Sequence, residues 1–210
     1  MNKALELVSK PVLACTSACI ACLIASCARY PEVYVRDQHG NTPLHRAAST
    51  GQYDEIEQLL GKGAKVNTKS NGGYTPLHRA ATNGRLDAIK LLVEHGAKVN
   101  IKNGLGSTPL HRAVSINNIG HVNAKTVKLL LDHNADVNAL NRRQETPLHC
   151  AIDSWESDGP EIVNVLLEAG AHIHLKDRSG RTALSKAKKA HNQDIRRLLE
   201  SHALAESVKP

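Results

Sequence analysis

The chain of 210 residues contains no phenylalanine, one tryptophan, one methionine and four tyrosines. With aromatics at 2%, the stacked-ring platforms that hold single-stranded nucleic acid and the cages that hold quaternary ammonium groups have almost no raw material. The core has to be aliphatic. Cysteine is nearly absent from the body: Cys15, Cys19, Cys22 and Cys27 crowd together near the start, and Cys150 alone lies beyond them. That distribution excludes a disulfide framework, whose cysteines are spread through the domain. The single C-x-x-C, Cys19 to Cys22, has no histidine beside it and sits in an apolar run, so no metal site is expected there. What is present, 41% apolar and 22% charged residues, suffices for a buried core and excludes a disordered chain. Lys and Arg number 27 against 20 Asp and Glu, a formal +7 that favours an acidic partner or surface.

The first segment has the layout of an export signal. MNKALELVSK carries Lys3 and Lys10, and an uncharged run of apolar and small residues follows from Pro11 to Ala28. Its end, Leu23-Ile24-Ala25-Ser26-Cys27, resembles the box of a bacterial lipoprotein signal: an aliphatic residue, small residues, then a cysteine whose thiol takes the lipid. Cys27 is therefore the candidate lipidation site, and two or more acyl chains would give stable membrane attachment. Three other readings stay open: a short uncleaved membrane anchor, an ordinary secretory cleavage site at Ser26-Cys27-Ala28, and a helix that caps the domain behind it.

Beyond residue 36 the chain repeats itself. Thr-Pro-Leu-His occurs at Thr42, Thr75, Thr108 and Thr146, and a decayed Thr-Ala-Leu-Ser at Thr182. The first two intervals are 33 residues and the next two are 38 and 36, so the third and fourth units carry insertions, at Ile116–Lys125 and Ser154–Pro160. A second mark recurs in phase: Ile56, Ile89, Val127, Val163 and Ile195 each precede an aliphatic pair, followed by Gly-Ala at Gly63, Gly96 and Gly170 and by Asn134-Ala135 in the third unit. Each Thr can cap a helix whose first residue, Pro, needs no amide partner. Leu44, Ala47 and Ala48 predict a close-packed first helix, and Ile56, Leu59 and Leu60 a second with one buried stripe. Residues Ala64 to Gly73 predict a hairpin finger into the next unit. No helix here can bury its apolar face alone, so the stack is the core.

The pattern D-x-x-G-x-T-P-L-H-x-A-A with an aliphatic-L-L-x-x-G-A helix end resembles the ankyrin repeat, over about residues 33–203. The resemblance implies an all-α solenoid of helix-turn-helix units with β-hairpin fingers. The expected layout is a signal peptide or anchor at 1–26, a lead-in half finger at 27–36, repeats at 37–69, 70–102, 103–140, 141–176 and 177–203, and a tail at 204–210. The fifth repeat, with Ala183 and Ser185 in place of Pro and His, suits a C-terminal cap, made basic by Lys186, Lys188, Lys189, Arg196 and Arg197. The first repeat has no obvious cap. Its flank is covered by residues 11–28 kept as a helix, or it meets membrane or a partner.

The resemblance also implies that His45, His78, His111 and His149 are structural, bonding between neighbouring turns. Cys150 next to His149 is not an oriented thiolate–imidazole pair, and no glycine loop for phosphate or buried acid pair is present. No catalysis, cofactor, metal or small-molecule substrate is expected. Ankyrin stacks bind proteins on the concave side, and that places the expected surface here. Arg46, Arg79 and Arg112 follow the signature histidine in three successive repeats and should form a ladder spaced by about 10 Å, suited to an acidic segment. Tyr74, Leu105, Arg142 and Arg143 add finger contacts. Trp155, in the second insertion, is a further candidate contact. The reading is a protein-binding scaffold on a bacterial envelope. The alternatives are a host-directed ankyrin effector with an uncleaved first segment and, against the interspersed acids, a basic nucleic-acid-associated protein.

Overall fold

The computed structural model describes residues 31–115, 124–152, 159–190 and 192–207, with side chains placed through residue 205. The described chain opens on a 3-10 turn at Pro31–Tyr34 and continues as helix pairs: α1 (Pro43–Thr50) with α2 (Tyr53–Gly61), α3 (Pro76–Thr82) with α4 (Leu86–Glu94), α5 (Pro109–Ala113) with α6 (Ala124–Asp132), α7 (Pro147–Ile152) with α8 (Gly159–Glu168), and α9 (Ala183–Lys189) with α10 (Gln193–Ser207). Each helix packs on its own partner and on its counterpart in the next pair, so the first helices form one layer and the second helices another. This is the expected all-α solenoid.

Local chemistry starts and stops these helices. Thr42, Thr75, Thr108 and Thr182 are extended N-caps, and Pro follows at the first helical position in the first three. Gly51 ends α1 in the left-handed region at φ 83°, its amide bonded to the Ala47 carbonyl. Between the layers lies an aliphatic core in which Leu44, Ile56, Leu77, Ile89, Leu110, Leu130, Leu148, Leu166 and Leu199 are at most 1% exposed. The alanines Ala47, Ala48, Ala80, Ala81, Ala113 and Ala151 are fully buried, and their small size is what lets the first helices approach.

The fingers are tight turns joined tip to tip. Asn71 N–H donates to His39 O, Gly104 to Gly72, Arg142 to Leu105 and Arg178 to Arg143, at 2.8–3.1 Å. Among the described residues the only strand-like pairing is the isolated bridge between Lys176 and Thr182, so the expected β-hairpins are turns with neighbour-to-neighbour bonds instead of laddered strands. A second line of bonds runs through Asn67, Asn100 and Asn138. Each donates its amide to the carbonyl that ends the next unit's second helix and accepts the amide two residues further on, at 2.8–3.0 Å. The expected insertions lie mostly outside the described residues. No described helix is long and apolar enough to cross a membrane.

Candidate functional site

In α1, α3, α5 and α7 the buried side chains leave one helical face at least partly open, and the position after the signature histidine lies on it. Arg46, Arg79, Arg112, Cys150 and Lys186 occupy that position. Where a preceding unit is described, the cation reaches back to the residue just before that unit's capping threonine. Arg79 Nη2 donates to Asn41 Oδ1 at 3.1 Å, Arg112 lies 5.8 Å from the Tyr74 ring centre, and Lys186 Nζ lies 3.2 Å from Glu145 Oε1. Arg79 also lies over the Tyr74 ring, at 4.8 Å. Arg112 is further held by Thr82 Oγ1 at 3.4 Å. The expected ladder is therefore two guanidiniums converging on one tyrosine, with Arg46 apart from them.

Arg46 is exposed in the first repeat, at the end of the described stack. There it lines a groove of about 450 Å³ with Glu32, Val35, Pro43, Glu55, Leu59 and Lys62. Lys186 differs from its expected place on a basic outer surface. It is 5% exposed, paired with the equally inward Glu145, and donates to the His149 carbonyl at 2.9 Å. Burial opposes the Glu145 charge, but Asn141 and Lys186 outweigh it and hold this carboxyl below the ordinary range.

Leu105, Arg142 and Arg143 lie at the finger tips. Leu105 is 59% exposed, and its carbonyl accepts the Arg142 amide, so the third and fourth fingers touch here. Arg178, exposed on the fifth finger and bonded through its amide to the Arg143 carbonyl, extends this basic row. Sequence reasoning missed it, although its register two residues before Gly180 matches that of Arg142 before Gln144. The carboxylates at the finger bases are occupied. Asp37 accepts the amides of His39 and Asn41, and Asp177 accepts those of Ser179 and Arg181 and pairs with the Arg181 side chain at 2.7 Å. Burial works against the Asp177 charge, yet these bonds prevail and bring its pKa to about 2.

The sequence matches the family model described as ankyrin repeats (3 copies), over residues 12–103 and 100–177. The chain belongs to the ankyrin-repeat family. A search of curated proteins finds no match. The match begins within the apolar first run and ends before α9, whose Ala183 and Ser185 depart from the signature. Ankyrin repeats generally mediate protein–protein interaction and are typically non-catalytic scaffolds.

In this ankyrin chain the signature histidines act as links. The Nε2 of His45, His78, His111 and His149 lies 2.9–3.1 Å from the carbonyl of Tyr74, Ser107, Glu145 and Arg181 in the following unit. A carbonyl only accepts, so Nε2 carries the proton, and Nδ1 accepts the amide of the capping threonine at 3.1–3.3 Å. Burial favours the neutral ring and lowers all four pKa values, that of His78 to about 4. A second proton on Nδ1 would break the cap, so these rings are poor general bases.

Cys150 is half-buried, and His172 and His174 are exposed. No group of His, Cys, Asp and Glu that could hold a metal occurs among the described residues. Cys27 and Trp155, the candidate lipidation and loop contact residues, lie outside the described residues.

Proposed function

We propose that this ankyrin-repeat chain of five repeats is a non-catalytic scaffold that takes an acidic protein partner on the face formed by its finger tips and first helices. The observation that carries the reading is electrostatic. Arg79, Arg112, Arg142, Arg143 and Arg178 share that face, while Asp37, Glu145 and Asp177 beside it are already engaged by amides or a cation. Complementary charge of this kind speeds encounter and selects among partners.

The test is affinity capture from the source cells with quantitative mass spectrometry. It compares the wild type, Arg142→Glu with Arg143→Glu, and Lys125→Glu with Lys128→Glu on the second-helix layer. The expected result is a partner lost from the finger variant alone. Equal retention by both variants would remove the reading.

Attachment to a bacterial envelope through a lipid on Cys27 is the accompanying proposal, supported by Leu23-Ile24-Ala25-Ser26-Cys27. The family match from residue 12 supports a second reading, in which the run is kept, as a cap on the first repeat or in a chain delivered to a host cell. Intact mass of the membrane fraction, beside Cys27→Ala, separates them. Acyl mass on a chain starting at Cys27 supports the lipid, and an intact Met1 supports retention.

A further inference from the structure

We propose that Arg142, Arg143 and Arg178, on the fourth and fifth finger tips, form a seat for a phosphorylated side chain of the partner, with a neighbouring aliphatic residue resting on Leu105 of the third finger. The proposal rests on the reading of the finger face as the binding surface and names the chemistry that face recognises.

The exposed cations of the fingers fall into two groups. At the finger bases Arg36, Lys69 and Lys102 share one register, and each reaches forward to a carbonyl of the next unit. Arg36 Nη1 donates to Lys69 O at 2.8 Å, Lys69 Nζ to Lys102 O at 3.2 Å and Lys102 Nζ to Leu140 O at 2.8 Å. These heads tie neighbouring fingers together. The tip arginines make no such link: Arg142, Arg143 and Arg178 are exposed, and among the described residues their guanidiniums enter no hydrogen bond or ion pair. The nearby acids are already committed. Glu145, whose charge Arg143 helps to stabilise, is bonded to Asn141 and Lys186, and Asp177, next to Arg178 in the chain, is paired with Arg181. Positive charge is therefore left over at these two tips.

Backbone bonds gather the three arginines. The Arg178 amide donates to the Arg143 carbonyl at 2.8 Å, and Arg142 directly precedes Arg143, so three long side chains start from one patch two fingers wide. The equivalent tips of the first three fingers are Gln38-His39, Asn71-Gly72 and Gly104-Leu105, which carry no arginine or lysine. A carboxylate would bring one charge and two oxygens to three cations. A phosphomonoester brings nearly two charges at neutral pH and three acceptor oxygens, and the planar guanidinium fork can hold two of those oxygens at once. The residue choice agrees, since the tips use arginine alone while lysine fills two of the three base positions.

The third finger supplies an apolar contact beside this charge. The Arg142 amide donates to the Leu105 carbonyl at 3.0 Å, and Leu105 stands 59% exposed. The Arg142 stem lies over Gly106, where an added Cβ would come within 3.1 Å of Arg142 Cγ. An extended partner advances about 3.3 Å per residue, so an aliphatic side chain within two positions of the phosphate reaches Leu105. Phosphate and aliphatic contacts together give the site a sequence preference that charge alone lacks.

The experiment presents the purified full chain with three synthetic peptide libraries that differ only at the central residue: phosphoserine, glutamate or serine, each flanked by random residues. Retained peptides are sequenced by mass spectrometry, and the affinity of selected ones is measured by fluorescence anisotropy. Expected are retention of the phosphoserine library over the other two and enrichment of Leu, Ile or Val within two positions of the phosphoserine. Affinity should fall on the order of tenfold or more in Arg142→Gln with Arg143→Gln, and to a smaller extent in Arg178→Gln. Leu105→Asn should abolish the aliphatic preference and keep the phosphoserine preference. All four positions are exposed tips, and unchanged thermal unfolding verifies that these losses are local. Retention of no library, or phosphopeptide affinity that is unchanged in the arginine variants, overturns the proposal. So does a random-sequence RNA oligonucleotide that binds through the same arginines more tightly than any phosphopeptide. An aliphatic preference that survives Leu105→Asn removes Leu105 from the site. Glutamate peptides bound as tightly as phosphopeptides, and weakened by the same arginine changes, remove the phosphate seat and leave the acidic-partner reading. Retention of no library, together with a captured partner indifferent to Arg142→Glu with Arg143→Glu, removes both.

Discussion

Among the described residues, Gln144 is the one whose backbone least suits its side chain. It has φ 57°, where the equivalent finger positions Gly40, Gly73, Gly106 and Gly180 have φ 73–75°. A side chain in this region costs about 1 kcal/mol or more, partly offset in glycine by the greater freedom of its unfolded chain. Gln144→Gly is expected to stabilise the protein by roughly 0.5–1 kcal/mol in urea unfolding, and a decrease would show that its side chain makes a compensating contact. Gly73 shows the opposite demand: beyond its φ of 75°, an added Cβ would lie 2.7 Å from the Gly104 amide nitrogen, so the finger-to-finger approach itself requires glycine. Ser70 is the second residue out of step. At its equivalents Asp37, Asn103, Asn141 and Asp177 the side-chain oxygen accepts two finger amides, whereas the buried Ser70 hydroxyl has no partner. Ser70→Asp is expected to engage the amides of Gly72 and Tyr74 and raise stability by about 1 kcal/mol at neutral pH. Unchanged stability would mean that the desolvation of the new carboxylate cancels those bonds. Both departures are visible in the repeat alignment as Gln among glycines and Ser among acids and amides. Their physical cost needed the φ value and the list of amide donors.

At the scale of elements, the buried pair of Glu145 and Lys186 fastens α9 to the finger and helix before it. Sequence reasoning grouped Lys186 with Lys188, Lys189, Arg196 and Arg197 as the basic charge of the terminal cap; in the structure Lys188 and Lys189 are exposed and Lys186 is turned inward. What it lacked was the partner, since Glu145 lies 41 residues earlier and no local pattern joins them. The helices themselves were legible because Thr-Pro caps and aliphatic stripes act within one turn. The convergence of Arg79 and Arg112 on Tyr74 was not, because side-chain direction across two units decides it. Removing one member of a buried pair strands the other charge. Lys186→Ala is expected to cost about 3 kcal/mol or more, and Lys186→Met combined with Glu145→Gln to recover most of it. If the double variant is as unstable as the single one, the pair contributes through packing and not through charge.

Across the whole molecule, stability is carried by links between neighbours, and the four signature histidines supply one at each junction from Tyr74 to Arg181. All four must be neutral to do so, and this ties the stack to pH. His78 faces the cations Arg112, Lys69 and Arg79, which add to the burial that lowers its pKa to about 4, while its bond to the Ser107 carbonyl pulls the other way. The unfolded ring titrates near 6.5, so between about pH 6.5 and 4 the unfolded chain binds a proton that the folded chain refuses. The stabilising contribution is thus complete above about pH 6.5 and is lost as the pH falls. Each histidine so perturbed adds about 1.4 kcal/mol per pH unit within its window. Below that window, protonation of Asp37, Glu145 and Asp177 continues the decline, since their folded pKa values are lowered from the ordinary carboxylate range. Urea midpoints are expected to be flat from pH 8 to 7 and to drop steeply from pH 6.5 to 5. His78→Asn should start lower at pH 7.5, having lost a junction, yet fall less steeply with acid. A wild-type midpoint that does not move between pH 7 and 5 would show that the rings are protonated equally in both states, and the links would then have to survive with Nδ1 charged.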